Sequence, residues 1–314
     1  MQSFAKWSDT VGIRRRSTIL LIALAVAVTL VPATAKAHFE RLFISSRAFS
    51  MGGAFVSVAD DPSAVIYNPA GLTQIPTASV LSTISQPYGL SDLGEYFLAG
   101  VIPTAIGSFG LSWHRFSLED VTSEDLFTLA YGRDLIRTSQ DASLSVGGAV
   151  DIAHVAYPGA ADSKTVVSGA LSVLLRPFPV IGFGYTVRNI GEPTFDFALY
   201  GRDGDSWAGP TTLEMVHSFG FAYHWDRRVS VLYERERGQD GKWRDLLGIE
   251  VKAGDVLRLR AGLRESNVTG GIGVKVSNVL IDAGVVAHDM LGLTYLISVG
   301  ISLPGSDGEE ANEW

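Results

Sequence analysis

From about residue 79 to residue 303 the chain alternates with a period of two, and this constrains its fold more than any other feature. At the C-terminal end Leu293, Tyr295, Ile297, Val299, Ile301 and Leu303 are apolar, while Thr294, Ser298, Gly300 and Ser302 between them are small or hydroxylic. The same phase runs through Phe219, Phe221, Tyr223 and Trp225 against Ser218, Gly220, Ala222 and His224. It recurs in Leu144, Val146, Val150 and Ile152 against Ser143, Ser145, Gly147 and Asp151. A helix would repeat its apolar residues every three to four positions, so these runs read as strands with one apolar face. About fourteen such runs follow one another, at 79–86, 93–102, 106–117, 124–134, 141–154, 165–176, 180–190, 212–225, 228–236, 244–252, 256–264, 269–277, 279–288 and 293–303. Their lengths match the roughly 9–11 residues of a tilted membrane-crossing strand.

The charges say which face is which. One phase of the later runs holds Val229, Val231, Tyr233, Leu247, Ile249, Val251, Leu257, Leu259 and Leu263, then Ile272, Val274, Val276, Ile281, Ala283 and Val285, and none is charged. The other phase holds Glu234, Glu236, Glu250, Lys252, Arg258, Arg260, Arg264, Lys275 and Asp282, with both signs on neighbouring runs. A charge facing acyl chains at mid-bilayer costs about 2–4 kcal/mol, so the ionic phase is expected in the lumen, paired across strands. A soluble sandwich or lipocalin-like barrel would also alternate, with the apolar residues inside. The number of runs weighs against it, as do aromatics near their ends (Trp113, Phe116, Tyr131, Trp225, Tyr233), which suit an interfacial girdle. The links are expected to alternate, tight after even-numbered strands and longer after odd-numbered ones, with 136–140 as the exception. An even count would put both chain ends on the periplasmic side.

The first residues read as an export leader. Arg14, Arg15 and Arg16 precede an uncharged run from Ile19 to Val31, followed by Pro32 and the small-residue triplet Ala35-Lys36-Ala37. The run is shorter than the roughly 20 residues a membrane-crossing helix needs, so it reads as a signal peptide over 1–37, cleaved after Ala37. With 314 residues, 46% hydrophobic, the chain can bury a large apolar surface, which excludes disorder. Its lack of cysteine removes disulfide scaffolds, thiolate metal sites and cysteine nucleophiles. A net charge of -8 excludes nucleic acid as a partner, because phosphates require a basic face. The expected organisation is a leader over 1–37, an N-terminal hatch or plug segment over 38–78, a transmembrane barrel over 79–303 and a polar tail over 304–314.

The segment before the first run has a different character, small and rich in glycine and alanine. Gly52-Gly53 permits a tight bend, Asp60-Asp61-Pro62-Ser63 reads as a helix start, and Asn68-Pro69-Ala70-Gly71 as a turn. Residues 47–72 carry the pattern R-A-x-x-M-G-G-A-F-V-x-V-A-D-D-x-S-A-x-x-x-N-P-A-G-L. That pattern resembles the N-terminal signature of outer-membrane barrels of the FadL type and their PorV/PorQ relatives. Val187-Arg188-Asn189-Ile190-Gly191 is similar to an Asn-Leu-Gly element of the PorV/PorQ group, and Gly292-Leu293-Thr294-Tyr295 resembles the family's terminal strand. The resemblance implies a closed all-β antiparallel barrel of fourteen strands in the bacterial outer membrane, with a hatch folded into the lumen. It also implies a role in the hatch for Asn68, Pro69 and Ala70, beside Gly52 and Gly53.

Two functions follow from the resemblance. One is passive uptake of hydrophobic small molecules, gated by the hatch. The other is a scaffold or secretion accessory for an exported protein, suggested by residues 187–191 and the compact links. An enzyme is not expected. The six histidines (His38, His114, His154, His217, His224, His288) come with no Gly-x-Ser-x-Gly elbow and no His-Glu-x-x-His spacing. Gly182-Phe183-Gly184 and Gly270-Gly271-Ile272-Gly273 lie inside alternating runs, where glycine gives close packing or curvature rather than a phosphate loop. No metal and no cofactor is therefore expected, and the partner common to both readings is outer-membrane lipid.

Overall fold

The computed structural model describes residues 39, 44–157, 163–196, 199–200, 206–208, 210–226, 228–288 and 292–304. The expected leader lies outside the described residues, as does the tail beyond residue 304. Alternation becomes strands β1 (Ser79–Gln86), β2 (Leu93–Thr104), β3 (Gly107–Leu118), β4 (Thr122–Arg137), β5 (Ser143–Ala156), β6 (Ser163–Phe178) and β7 (Ile181–Ile190). Four short strands follow: β8 (Thr194–Phe195), β9 (Leu199–Tyr200), β10 (Ser206–Ala208) and β11 (Thr211–Thr212). The second half comprises β12 (Val216–Trp225), β13 (Val229–Arg237), β14 (Trp243–Ala253), β15 (Leu257–Arg264), β16 (Asn267–Val276), β17 (Val279–His288) and β18 (Gly292–Ser302). Strands β1–β7 and β12–β18 pair with their sequence neighbours, and β1 closes on β18 from Ser79↔Ser302 to Gln86↔Tyr295. The result is a closed fourteen-stranded antiparallel barrel, which leaves no open edge to be satisfied in lipid.

The apolar phase faces outward all the way round. Leu111, Leu129, Val167, Leu171, Phe219, Leu247, Ile272 and Ile297 are exposed, whereas their chain neighbours Gly110, Thr128, Ser168, Ser172, Ser218, Leu246, Gly273 and Ser298 are buried inside. A surface this apolar is compatible with acyl chains and not with water. Ionic groups on the outer phase lie toward the rims: Arg115 meets Asp125 at 3.5 Å and Tyr233 donates to Asp245 at 2.6 Å at one, and Arg133 lies near the other. The apolar belt therefore lies between them. We expect Leu247→Arg, in the middle of β14, to destabilise the folded barrel by about 2–4 kcal/mol in a lipid-based unfolding titration. The same change at Thr104, on a rim, is expected to cost under about 1 kcal/mol.

Two expectations are corrected. The links do not alternate strictly, because 119–121 after β3 and 265–266 after β15, the eleventh expected run, are as tight as those at the other end. Asp120 and Glu265 take positive φ there (56° each), which closes the chain in two or three residues, and periodicity does not report on which rim such a turn lies. Phe116 is also misplaced as a girdle residue, since it pairs with Glu95 and Glu124 on the lumen phase. Trp113, Tyr131, Trp225 and Tyr233 are on the outer phase.

Candidate functional site

The N-terminal segment is folded within the barrel. After Ser45, whose hydroxyl caps it, helix α1 (Ser46–Ser50) leads to Gly52 and Gly53 at φ 69° and 85°. Helix α2 (Ala64–Tyr67) follows the acidic turn, and Asn68 then caps a 3-10 helix over Pro69–Gln74, so the expected turn extends into a further helical turn. Helices this short do not hold by propensity; they hold because their surroundings fix them.

The inner wall supplies a seat of glycines. Four cross-strand pairs, Gly132↔Gly147, Gly184↔Gly220, Gly248↔Gly262 and Gly271↔Gly284, lie on the lumen phase. The first three pairs face the segment's backbone so closely that a Cβ would collide with it, and at Gly271 and Gly284 it would collide with the Ser50 side chain. At Gly248 the added atom would sit 2.6 Å from the Met51 carbonyl, and at Gly220 it would sit 2.8 Å from the Ser57 nitrogen. A backbone enclosed without regular structure must still satisfy its polar groups, and wall hydroxyls do this. Thr269 accepts from Gly52 N and donates to the Ser50 carbonyl, both at 3.0 Å. Thr186 donates to the Tyr67 carbonyl at 3.0 Å, and Ser298 accepts from Ser46 N at 2.9 Å. Glu234 accepts from Phe55 N and Val56 N at 2.9 and 3.0 Å.

An ionic chain ties segment to wall. The Arg47 guanidinium lies 2.6 Å from Asp60 and 3.1 Å from Glu250, with Phe55 beneath it at 5.3 Å. Glu250 also holds Arg260 at 2.6 Å, and Arg260 holds Asp282 at 2.6 Å. Asp60–Arg47–Glu250–Arg260–Asp282 thus runs from the plug across three wall strands. Burial pushes the Asp60 carboxyl up, but the Arg47 guanidinium outweighs it and holds Asp60 below the usual carboxylate range.

Above and below the plug lie two recesses. One has Phe39, Val65, Ile66, Leu126, Ala170 and Leu213 on its walls, with Asp151, Arg188 and Asn189 among its polar groups. Phe39 stacks on Phe195 of the long 191–215 link at 6.3 Å, and its N–H donates to Glu124 at 3.0 Å. The barrel wall is irregular beside it, because the β6–β7 register shifts between Gly169 and Leu171 and Asn189 takes φ 58°. The second recess lies toward the rim where β1 begins and β18 ends, and Arg47, Asp60, Gln74, Arg176, His224 and Lys252 line it beside Val58, Pro179 and Val180; Phe39, the first described residue, is at the opposite rim, so the expectation that both chain ends share one side is not met for it.

The fold is shared with known channels. Among solved structures, the CymD monoaromatic hydrocarbon channel is similar, with a TM-score of 0.61, 11% identity, and coverage of 86% of this chain and 100% of that one. A FadL homologue of Pseudomonas aeruginosa gives 0.58 at 12% identity, covering 85% and 100%. The Pseudomonas putida toluene transporter TodX gives 0.59 at 13% identity, covering 84% and 98%. No protein-family profile matches the chain, and no curated protein sequence does. At these identities the likeness establishes the fold.

The residues singled out in the sequence occupy distinct places in this arrangement. Gly52 and Gly53 form the bend between β14 and β15, where a Cβ on Gly52 would meet the Leu263 and Leu247 carbonyls at 2.5 and 2.6 Å. Asn68 donates to the Val56 carbonyl at 2.7 Å and accepts from Ala70 N at 3.1 Å. Ala70 N also reaches Ser172 Oγ at 2.9 Å, and Pro69, with no N–H to satisfy, begins the 3-10 turn. Glu236 pairs with Arg264 at 3.0 Å, while Lys252, Arg258 and Lys275 lie on the inner phase near the rim where β1 begins and β18 ends. The seat of glycines and the Arg47 chain were missed. Their only sequence signal was glycine recurring on the lumen phase, which the pairing register turns into a continuous surface. Asn68→Ala would leave the Val56 carbonyl buried without its donor, a loss of about 1–3 kcal/mol. The expected readout is faster hydrogen exchange across residues 54–72 with the barrel's melting unchanged.

Proposed function

We propose that the protein is an outer-membrane uptake channel for hydrophobic small molecules, in which the plug must shift for a molecule to pass. The observation that carries this reading is a closed apolar-skinned barrel whose lumen is obstructed by its own N-terminal segment. Apolar walls take a hydrophobic solute from water at about 25 cal/mol per Å² of buried surface, while Asp151 and Asn189 in the upper recess are already bonded to Thr128 and the Glu214 carbonyl. The plug is held by hydrogen bonds and one ionic chain to the wall rather than by a covalent bond, so it is displaceable. The similar structures include a monoaromatic hydrocarbon channel and a toluene transporter, which agrees with a hydrophobic solute. Passage in this reading is passive and needs no cofactor.

The test is uptake of labelled toluene and of a labelled long-chain fatty acid by cells that express or lack the protein, and by cells expressing a form without residues 44–77. Expression is expected to accelerate accumulation of at least one of the two, and removal of the segment to change its rate. Equal accumulation in all three strains contradicts the proposal.

A further inference from the structure

The wall beside the upper recess brings polar side chains inward by means of a bulge. Between the paired positions Leu171↔Val187 and Gly169↔Ile190, two residues of β7, Arg188 and Asn189, oppose the single residue Ala170 of β6. In a regular strand two successive residues point to opposite faces. The bulge, with Asn189 at φ 58°, lets both line the recess. Asp151 on β5 and Ser168 on β6, direct cross-strand partners, line it as well. Val65 and Ile66 of the plug, with Phe39 and Leu213, supply its apolar part.

Among these polar groups Arg188 stands apart. Asp151 accepts from Thr128 Oγ1 at 2.5 Å, Asn189 donates to the Glu214 carbonyl at 3.0 Å, and Gln239 donates to the Phe39 carbonyl at 3.0 Å. The half-buried Arg188 guanidinium has no ion pair and no hydrogen bond among the described residues, and Asp151 lies beyond ion-pair distance from it. A cation drawn partly out of water without a counter-ion is costly, and a guanidinium recovers that cost best from a carboxylate, whose two oxygens match its parallel N–H groups. We propose that the upper recess takes an apolar molecule ending in a single carboxylate, with Arg188 holding the carboxylate and the apolar body lying against Val65, Ile66 and Leu213. Asp151 lines the same recess, so a molecule with a second negative charge is repelled. This names the solute class for the uptake role proposed above and rests on that reading.

The test is equilibrium binding of labelled 4-phenylbutyrate and of its uncharged methyl ester to the full-length barrel in phosphatidylcholine nanodiscs, corrected for uptake by empty nanodiscs. The parent is expected to bind the acid at least about tenfold more tightly than the ester, the size of one charge-assisted hydrogen bond. In Arg188→Gln that ratio should fall to about one, and in Arg188→Lys it should lie between, since an ammonium keeps the charge without the parallel pair of donors. Arg188→Gln is expected to fold, because it removes a charge that has no counter-ion; should it not, the intermediate ratio of Arg188→Lys decides. A parent that does not distinguish acid from ester, or a preference that survives in Arg188→Gln, overturns the inference. Accelerated accumulation of toluene by expressing cells, without acid-over-ester selectivity, would leave the uptake role standing and sink only the carboxylate. Selectivity that depends on Arg188, without any accelerated accumulation by cells, would do the reverse.

Discussion

Replacing Arg47 with alanine is expected to free the plug while leaving the barrel standing. The guanidinium touches Asp60 on the plug and Glu250 on the wall together, at 2.6 and 3.1 Å, and it is almost enclosed. Removing it leaves carboxylates facing each other in a low-dielectric interior, a loss of about 3–5 kcal/mol. The cost falls on the plug, because Glu250 keeps Arg260 and the wall strands keep their ladders. Limited proteolysis of the folded barrel in detergent should therefore cut within residues 44–77 in the variant and not in the parent. Arg47→Lys should behave between the two, since an ammonium keeps the charge but cannot span both carboxylates. The pH dependence has a definite sign. Asp60 is held below the carboxylate range, so its contribution is present at neutral pH and is lost only as pH falls through that lowered value. The Asp60 part of the plug's hold should accordingly persist until the pH is below about 3.9, the ordinary aspartate value.

The glycine seat should be as unforgiving, for a steric rather than an electrostatic reason. In Gly184→Val/Gly220→Val the new side chains occupy the space of the Val56 carbonyl and the Ser57 amide, whose atoms lie 2.6 and 2.8 Å from the first added carbon. Overpacking of this kind costs about 1–3 kcal/mol at each site, and the wall cannot yield because its ladder is closed. The plug should yield instead, and ion conductance across a planar bilayer should rise well above that of the parent protein. Gly270→Val is the control: Gly270 lies on the outer phase, its nearest atom would be 3.7 Å away, and conductance should not change. A parent-like current in the double variant would mean that the plug does not occlude the lumen.

Periodicity was enough to recover the barrel because one physical demand, an apolar skin against lipid, repeats at every second residue. The expected run 79–86 coincides with β1, and 165–176 falls two residues short of β6 at each end, where Ser163 and Phe178 lie at the rims beyond the apolar belt. The four short strands of the 191–215 link were not legible, since two- and three-residue pairs carry no period. Nor was the seat. Gly248 and Gly262 are fourteen residues apart in the chain and meet only through the register of β14 with β15. The Asn-Ile-Gly element suggested a scaffold by resemblance, but in the structure it accounts for a local irregularity. Asn189 takes a positive φ at the β6–β7 shift and ties the long link down by donating to the Glu214 carbonyl at 3.0 Å. Asn68, by contrast, was singled out correctly as a position while its partners Val56 and Ser172 could be found only in three dimensions.

Locking the plug to the wall addresses most directly the claim that it must move. Thr73 Oγ1 and Ser145 Oγ lie 3.1 Å apart, so Thr73→Cys/Ser145→Cys in this cysteine-free chain can close a disulfide between plug and β5. Labelled toluene uptake should fall to the level of cells without the protein when the pair is oxidised and recover when it is reduced. Equal uptake in the oxidised and reduced states would contradict the account.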